Sequence, residues 1–296
     1  MSVLLSGQLL AAALVLAALY ALVAMGLNLV YGTMRLLNIA HGELVMLGGY
    51  ITYWSFTSLG ISPLLSMLVA PAVGASLGVL IYIVLFRRLL RSPKLAARVE
   101  ANSLLIFFGV SVIFQNVMAL LFTSTQRGYV YLDQVIQIGN VAMTANRLIL
   151  FGVATSACLL CLAFFKYTRA GSAVRAVIQQ RDAAALVGVD IDRLNILVFA
   201  LGFALAALAG VLVSMVQEIT PFDGFPFTIS AFVIITLGGL GNLFGSLLGA
   251  LLLAAVEVYG TAVISSSFRS ILVYGVFIAV LLVKPQGLLG RAVAAK

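Results

Sequence analysis

His41 and Glu43 form the only His-x-Glu pair in the 296-residue chain, and no cysteine pair completes them into a zinc site of the deaminase kind. Cys158 and Cys161 stand one helical turn apart inside an apolar run. With a single histidine in the chain and no second cysteine pair, they read as small side chains facing lipid or a neighbouring helix. Neither the His-Glu-x-x-His of a zinc hydrolase nor the Gly-x-x-x-x-Gly-Lys-[Ser/Thr] of a P-loop occurs, so the chain is not expected to bind ATP that way itself. The glycine cluster 238–245 (GGLGNLFG) has neither the third glycine of a dinucleotide fingerprint nor the lysine of a P-loop. Catalytic, metal-binding and cofactor-binding residues are not expected here.

The other polar groups of interest lie within apolar stretches: Asn28, Asn38, His41, Glu43, Asn116, Asn242 and Glu257. An ionised carboxylate at the centre of a bilayer costs roughly 2.5–3.5 kcal/mol or more, so Glu43 and Glu257 must face protein or water. Asn38, His41 and Glu43 crowd together beside Gly42, Gly48 and Gly49, a density that predicts a broken helix. There they either brace freed backbone or line a solute path. Asn242 stands in a second glycine-rich break and is grouped with them. Glu257 reads as a span-end residue that snorkels to an interface, without a role.

The elements that carry these residues follow from composition. The chain is 63% hydrophobic and 9% charged, against roughly 25% charged in a soluble domain. Apolar runs of about 20 residues, enough to span ~30 Å of hydrocarbon, recur along it. They fall near 8–31, 36–57, 62–86, 101–123, 148–165, 197–217, 228–242, 243–262 and 271–284. The first is too long for a signal-peptide core and is read as a retained span. The expected fold is an all-α, polytopic transmembrane bundle of eight or nine spans, forming a single domain over 1–296.

The net charge of +8 sits in short loops, which argues for membrane orientation rather than nucleic acid. Arg87, Arg88, Arg91, Lys94 and Arg98 fill one loop. Lys166, Arg169, Arg175, Arg181 and Arg193 fill another, and Lys284, Arg291 and Lys296 end the chain. By contrast 124–147 holds only Arg127 and Arg147, and 218–227 holds neither Lys nor Arg. Placing the rich loops in the cytoplasm puts the N-terminus outside and the C-terminus inside. Were 228–242, short and interrupted by Gly238, Gly239 and Gly241, to re-enter, the basic tail would lie outside, so a crossing or a broken helix is expected there.

A weak internal repeat is also visible. His41–Tyr50 precedes a span with Gly74 and Gly78. Ile229–Gly241 leads into Gly241, Gly245 and Gly249, spaced alike by four. Small residues at i and i+4 let helices approach closely. Paired glycine-broken segments in two halves point to a transport site near the bilayer midplane.

The loop 166–193 holds its own helix, read over 172–187 with Ser172 as N-cap and Gly188 as stop. Arg175, Gln179 and Asp182 form a polar stripe. The apolar Val174, Val177, Ile178 and Leu186 need cover, which a soluble partner would supply.

The run Gly26–Tyr50 (GLNLVYGTMRLLNIAHGELVMLGGY), the loop Arg169–Arg193, the segment 229–257 and the tail Lys284–Arg291 together resemble the LivH-type permeases of branched-chain amino-acid ABC importers. Asn-x-Ala-His-Gly-Glu at 38–43 and Ala-Ala-x-Leu-x-Gly-Val at 183–189 carry it. The resemblance implies a second, LivM-like permease subunit, two cytoplasmic ATPase subunits that bind the ATP and Mg, and a periplasmic solute-binding protein. It makes 172–188 the coupling helix, and it places the chain in a bacterial inner membrane. Related permeases for urea or short amides share the His-Gly-Glu stretch, and a stand-alone channel or secondary transporter is the reading from another class.

Overall fold

Ser6 caps the first helix, its Oγ accepting from the Leu9 N–H, and no charged residue or proline interrupts the chain before Arg35. Helix α1 therefore runs Gly7–Met34, about 42 Å at 1.5 Å per residue. The computed structural model describes residues 6–92, 98–284 and 287; Lys94, Arg291 and Lys296 of the basic loops lie outside them. After α1 come α2 (His41–Leu59), α3 (Pro63–Arg91) and α4 (Val99–Phe122). Then follow strands β1 (Val135–Ile138) and β2 (Val141–Thr144), α5 (Ala145–Tyr167), and the short α6 (Arg169–Gln179) and α7 (Arg181–Leu186). Helices α8 (Ile191–Ser214), α9 (Gly224–Gly238), α10 (Leu243–Val263) and α11 (Arg269–Val283) complete the chain.

Each of the nine apolar segments read from the sequence holds one helix. Six of these helices, α1, α3, α4, α5, α8 and α10, are long and apolar enough to cross a membrane. The chain is a multi-pass helical membrane protein. The all-α reading needs one correction: β1 and β2 pair as an antiparallel hairpin. Gly139, at φ 60°, and Asn140 make the tight turn that joins them.

Contacts sort the loops onto two ends of the bundle. At the hairpin end, Gln8 exchanges hydrogen bonds with Ala142, pinning the start of α1 to β2. Arg127 pairs with Ile219 there, and the Asn146 amide donates to the Met215 carbonyl at 2.9 Å. At the opposite, basic end, Arg87 and Arg91 of α3 both reach Asp192 at the start of α8, at 2.8 and 2.7 Å. A π-helical turn at Tyr82–Phe86 turns Tyr82 onto the same carboxylate, its hydroxyl donating at 2.7 Å.

The segment whose course decided the parity is now traceable. It leaves the hairpin end at Ile219, and the turn after α9 lies at the basic end, where Gly241 rests against Gly32 near the end of α1. Helix α9 thus runs toward the basic end and does not double back.

At the centre, α1 and α8 cross in opposite directions, each with 61% of its apolar window buried, whereas α4 has 17%. They touch through glycines: a Cβ at Gly26 would lie 2.6 Å from the Gly202 carbonyl, and one at Gly202 2.7 Å from the Gly26 carbonyl. Helix α1 packs on α10, and α8 packs on α2 and α3, so the lead helix of each half lies against later helices of the other. The two central helices thus run antiparallel, each packed on helices from the other end of the sequence. The glycine faces are not equivalent, however. Gly74 and Gly78 of α3 meet Phe203 and Phe199 of α8, whereas Gly245 and Gly249 of α10 meet Gly238 and Ile234 of α9. Gly241 belongs to the turn before α10 rather than to a helix face, at φ 80°.

Candidate functional site

Helix α2 does not begin at the basic end where α1 stops. The chain turns back through Arg35–Ala40, and His41 sits beside the middle of α1, its Nε2 3.0 Å from the Val23 carbonyl oxygen. Helix α9 also begins inside the bundle. The Gly42 N–H donates to Thr228 Oγ1 at 2.8 Å, and Thr228 donates on to the Ile39 carbonyl at 2.9 Å. Gly42 lies directly against the Gly224 carbonyl, too close for any side chain. Two helix N-termini therefore meet at mid-depth, each carrying the partial positive charge of its unpaired N–H groups.

Glu43 fills this junction. It is wholly buried, its carboxylate lies against Gly224, and Oε1 accepts from Ser111 Oγ at 2.8 Å and Gln115 Nε2 at 2.7 Å. One side chain thus joins α2, α9 and the otherwise loosely held α4. Several neighbouring polar atoms have no partner among the described residues: both side-chain amide atoms of Asn38, His41 Nδ1 and Glu43 Oε2. Buried groups are rarely left so, which gives this junction unspent hydrogen-bonding capacity.

We expect Glu43→Gln to keep most transport activity and Glu43→Leu to lose it. Glutamine can still accept from Ser111, whereas leucine leaves Ser111 and Gln115 unpaired at about 1–3 kcal/mol each. Uptake normalised to membrane-inserted protein checks this, and equal activity in all three forms would remove Glu43 from any role.

Asn242 does not join this cluster. It caps α10, with Oδ1 accepting from the Gly245 N–H at 3.0 Å, and it lies at the basic end. Its partner there is Asn28, fully buried, whose amide donates to the Asn242 carbonyl at 3.0 Å and to Ser246 Oγ at 2.7 Å. Asn28 Oδ1 in turn accepts from the Gly241 N–H at 2.7 Å. Spacing alone had grouped Asn242 with Asn38, His41 and Glu43; the second break is sealed by α1 instead. Ser111, Gln115 and Thr228 were not legible as partners, because single hydroxyls and amides are common in apolar helices. Asn116 bonds back to its own helix at Val112.

The basic-end loop also differs from the reading. Its helix starts at Arg169, capped by Thr168 Oγ1 accepting from the Gly171 N–H at 3.0 Å, and Ser172 lies inside it. It breaks at Gln180, so Asp182 lies in a second helix that starts at Arg181, and the stripe of Arg175, Gln179 and Asp182 is not continuous. Val174 and Val177 are buried in the chain's own bundle, and Ile178 packs on Gly241 and Gly32. They need no partner. Leu186 and Val187 do project, 88% and 80% exposed, just before Gly188 turns the chain at φ 89°.

Gly74–Gly78 spells Gly-x-Ser-x-Gly, yet no nucleophile elbow exists there. The stretch is continuous helix, and Ser76 Oγ donates to the Ala72 carbonyl at 2.8 Å.

Antiparallel central helices, with two broken segments meeting at mid-depth, fit a membrane transport protein of the permease class. The chain belongs to the family described as branched-chain amino acid transport system / permease component, which it matches over residues 9–281. It is 32% identical to the high-affinity branched-chain amino acid transport system permease protein LivH of Escherichia coli K12, over 92% of this chain and 91% of that one. It is 32% identical to BraD of Pseudomonas aeruginosa, named likewise, over 92% of each chain. A probable LivH of Methanocaldococcus jannaschii is 29% identical, over 94% of this chain and 90% of the relative. No solved structure gives a significant match.

Proposed function

We propose that this chain is one of two permease subunits of an ATP-driven importer for branched-chain amino acids, lying in the bacterial inner membrane with eight or nine crossings. It supplies half of the translocation path. A second, LivM-like permease, two cytoplasmic ATPase subunits that bind ATP and Mg, and a periplasmic solute-binding protein complete the system. The hairpin end faces outward and the basic end faces the cytoplasm, as the distribution of Arg and Lys favours. The junction of Asn38, His41 and Glu43 serves as the midpoint at which the two broken segments shift against each other.

The observation that carries this reading is the tip of the basic-end loop. Its first helix is anchored by Val174 and Val177 and its second by Ala184, yet Leu186 and Val187 stand in the open. Two adjacent apolar side chains held out from a rigid base fit insertion into a cleft on a soluble partner. Ile178, between that helix and the α9–α10 turn, would carry motion of the tip into α9.

Reconstituted with its partners, the protein should take up leucine only when ATP and the binding protein are both present. In intact cells, cysteines at Ser92 and Ala173 should resist an impermeant thiol reagent, whereas one at Gln134, exposed on the hairpin side, should react. Uptake without ATP, or labelling at Ala173 from outside, would overturn the assignment.

A further inference from the structure

Glu257, given no role on sequence grounds, is only 4% exposed and far from free. Its Oε2 accepts from the Tyr20 hydroxyl at 2.7 Å, and its Oε1 pairs with Arg269 Nε at 2.5 Å. Arg269 Nη2 donates to the same Tyr20 hydroxyl at 3.2 Å. The three residues come from α10, α11 and α1. An ion pair in an apolar bundle offsets its own desolvation only with good geometry and further hydrogen bonds, and the Tyr20 hydroxyl bonds both partners here. This one is open on one side. The Arg269 side chain is 57% exposed, and the pair lines a cavity of about 270 Å³ between α1, α9, α10 and α11.

The cavity has two unlike walls. One is polar, with Tyr20, Glu257, Arg269 and Asp223; the Asp223 carboxylate accepts one hydrogen bond, from the Thr220 N–H at 2.6 Å. The other is apolar, with Leu19, Phe227 and Val273. Its volume lies just below the range of about 300–1,000 Å³ usual for ligand sites, which suits a solute the size of one amino acid.

We propose that this cavity binds a single zwitterionic amino acid with an apolar side chain, on the outward half of the path. The ammonium lies toward Glu257 and Asp223, the carboxylate toward the open face of the Arg269 guanidinium, and the side chain on the Leu19–Phe227–Val273 wall. A fixed ion pair suits a zwitterion because the two dipoles lie side by side and antiparallel, and each solute charge gains a charge-assisted hydrogen bond while the pair persists. A solute with one charge leaves half of that arrangement unmatched. The proposal rests on the importer reading and gives its solute a site within this chain.

The test uses the complete complex of permease and ATPase subunits, without binding protein, carrying Cys158→Ala and Cys161→Ala. Ser230→Cys and Gln217→Cys, each at the cavity wall, are modified separately with an impermeant thiol reagent. L-leucine should slow modification at both positions. 4-Methylpentanoate, which lacks the ammonium, and 3-methylbutylamine, which lacks the carboxylate, should not do so at the same concentration. In the Glu257→Gln/Arg269→Gln double variant, which keeps a hydrogen-bonded neutral pair, the leucine concentration for half-protection should rise at least about tenfold, the equivalent of one charge-assisted hydrogen bond. The ATPase subunits should remain bound to that variant.

Equal protection by the singly charged analogues would overturn the zwitterion assignment. So would an absence of leucine protection at both positions, or wild-type protection and uptake in the double variant, which would make the pair a brace. Failure of the importer reading is separate, and would show as a wild-type protein that binds no ATPase subunit and takes up nothing with ATP.

Discussion

Changing Leu186 to Asp should abolish ATP-driven uptake while leaving the protein folded in the membrane. The side chain is 88% exposed, so the chain's own stability does not depend on it. Docked into a cleft, a buried leucine contributes about 1.5–3 kcal/mol, and an aspartate there must also be desolvated. The combined loss weakens docking by two orders of magnitude or more, at about 1.4 kcal/mol per factor of ten. ATPase subunits should no longer co-purify with Leu186→Asp. Arg175→Ala should uncouple far less, because exposed polar contacts are typically worth ~0–1 kcal/mol. Val174→Asp is the contrasting control: Val174 is wholly buried against the chain's own bundle, so that variant should fail to fold rather than fail to dock. Wild-type uptake by Leu186→Asp without bound ATPase would refute the coupling role of this loop.

Gly245→Leu should remove nearly all folded protein. A Cβ at Gly245 would collide with the Gly238 carbonyl, and its neighbour Asn242 caps the helix and bonds Asn28. Backbone cannot rotate out of the way as a side chain can. The substitution must separate α9 from α10, at or beyond the ~1–3 kcal/mol typical of overpacking. Fluorescence-detected size-exclusion of solubilised protein would show the loss. Gly109→Leu on α4 and Gly152→Leu on α5 should be silent in the same assay, since a Cβ at either position meets no atom within 4 Å. A monodisperse, active Gly245→Leu protein would show that α9 and α10 can pack differently.

The two contrasts mark how far the amino-acid sequence reaches. Hydropathy placed all nine apolar segments on helices, because lipid leaves a chain no other way to satisfy its backbone there. The crowding of Asn38, His41 and Glu43 beside glycines announced a broken helix, since polar density in an apolar run is costly unless the backbone needs it. Gly74, Gly78, Gly245 and Gly249 marked close approaches, though not to which helix.

What tertiary structure alone decided is who satisfies whom. Asn242 proved to be a cap held by Asn28, and Glu43 proved to be held by Ser111 and Gln115, partners about 70 positions away. Val174 and Val177 turned into the chain's own core and left Leu186 as the exposed tip. Glu257 found Arg269 and Tyr20 instead of the interface. The physical reason is common to all four. Hydrophobic period and charge placement are local properties that each helix carries by itself. A hydrogen bond or ion pair between helices depends on a crossing geometry, and only the packed bundle sets that.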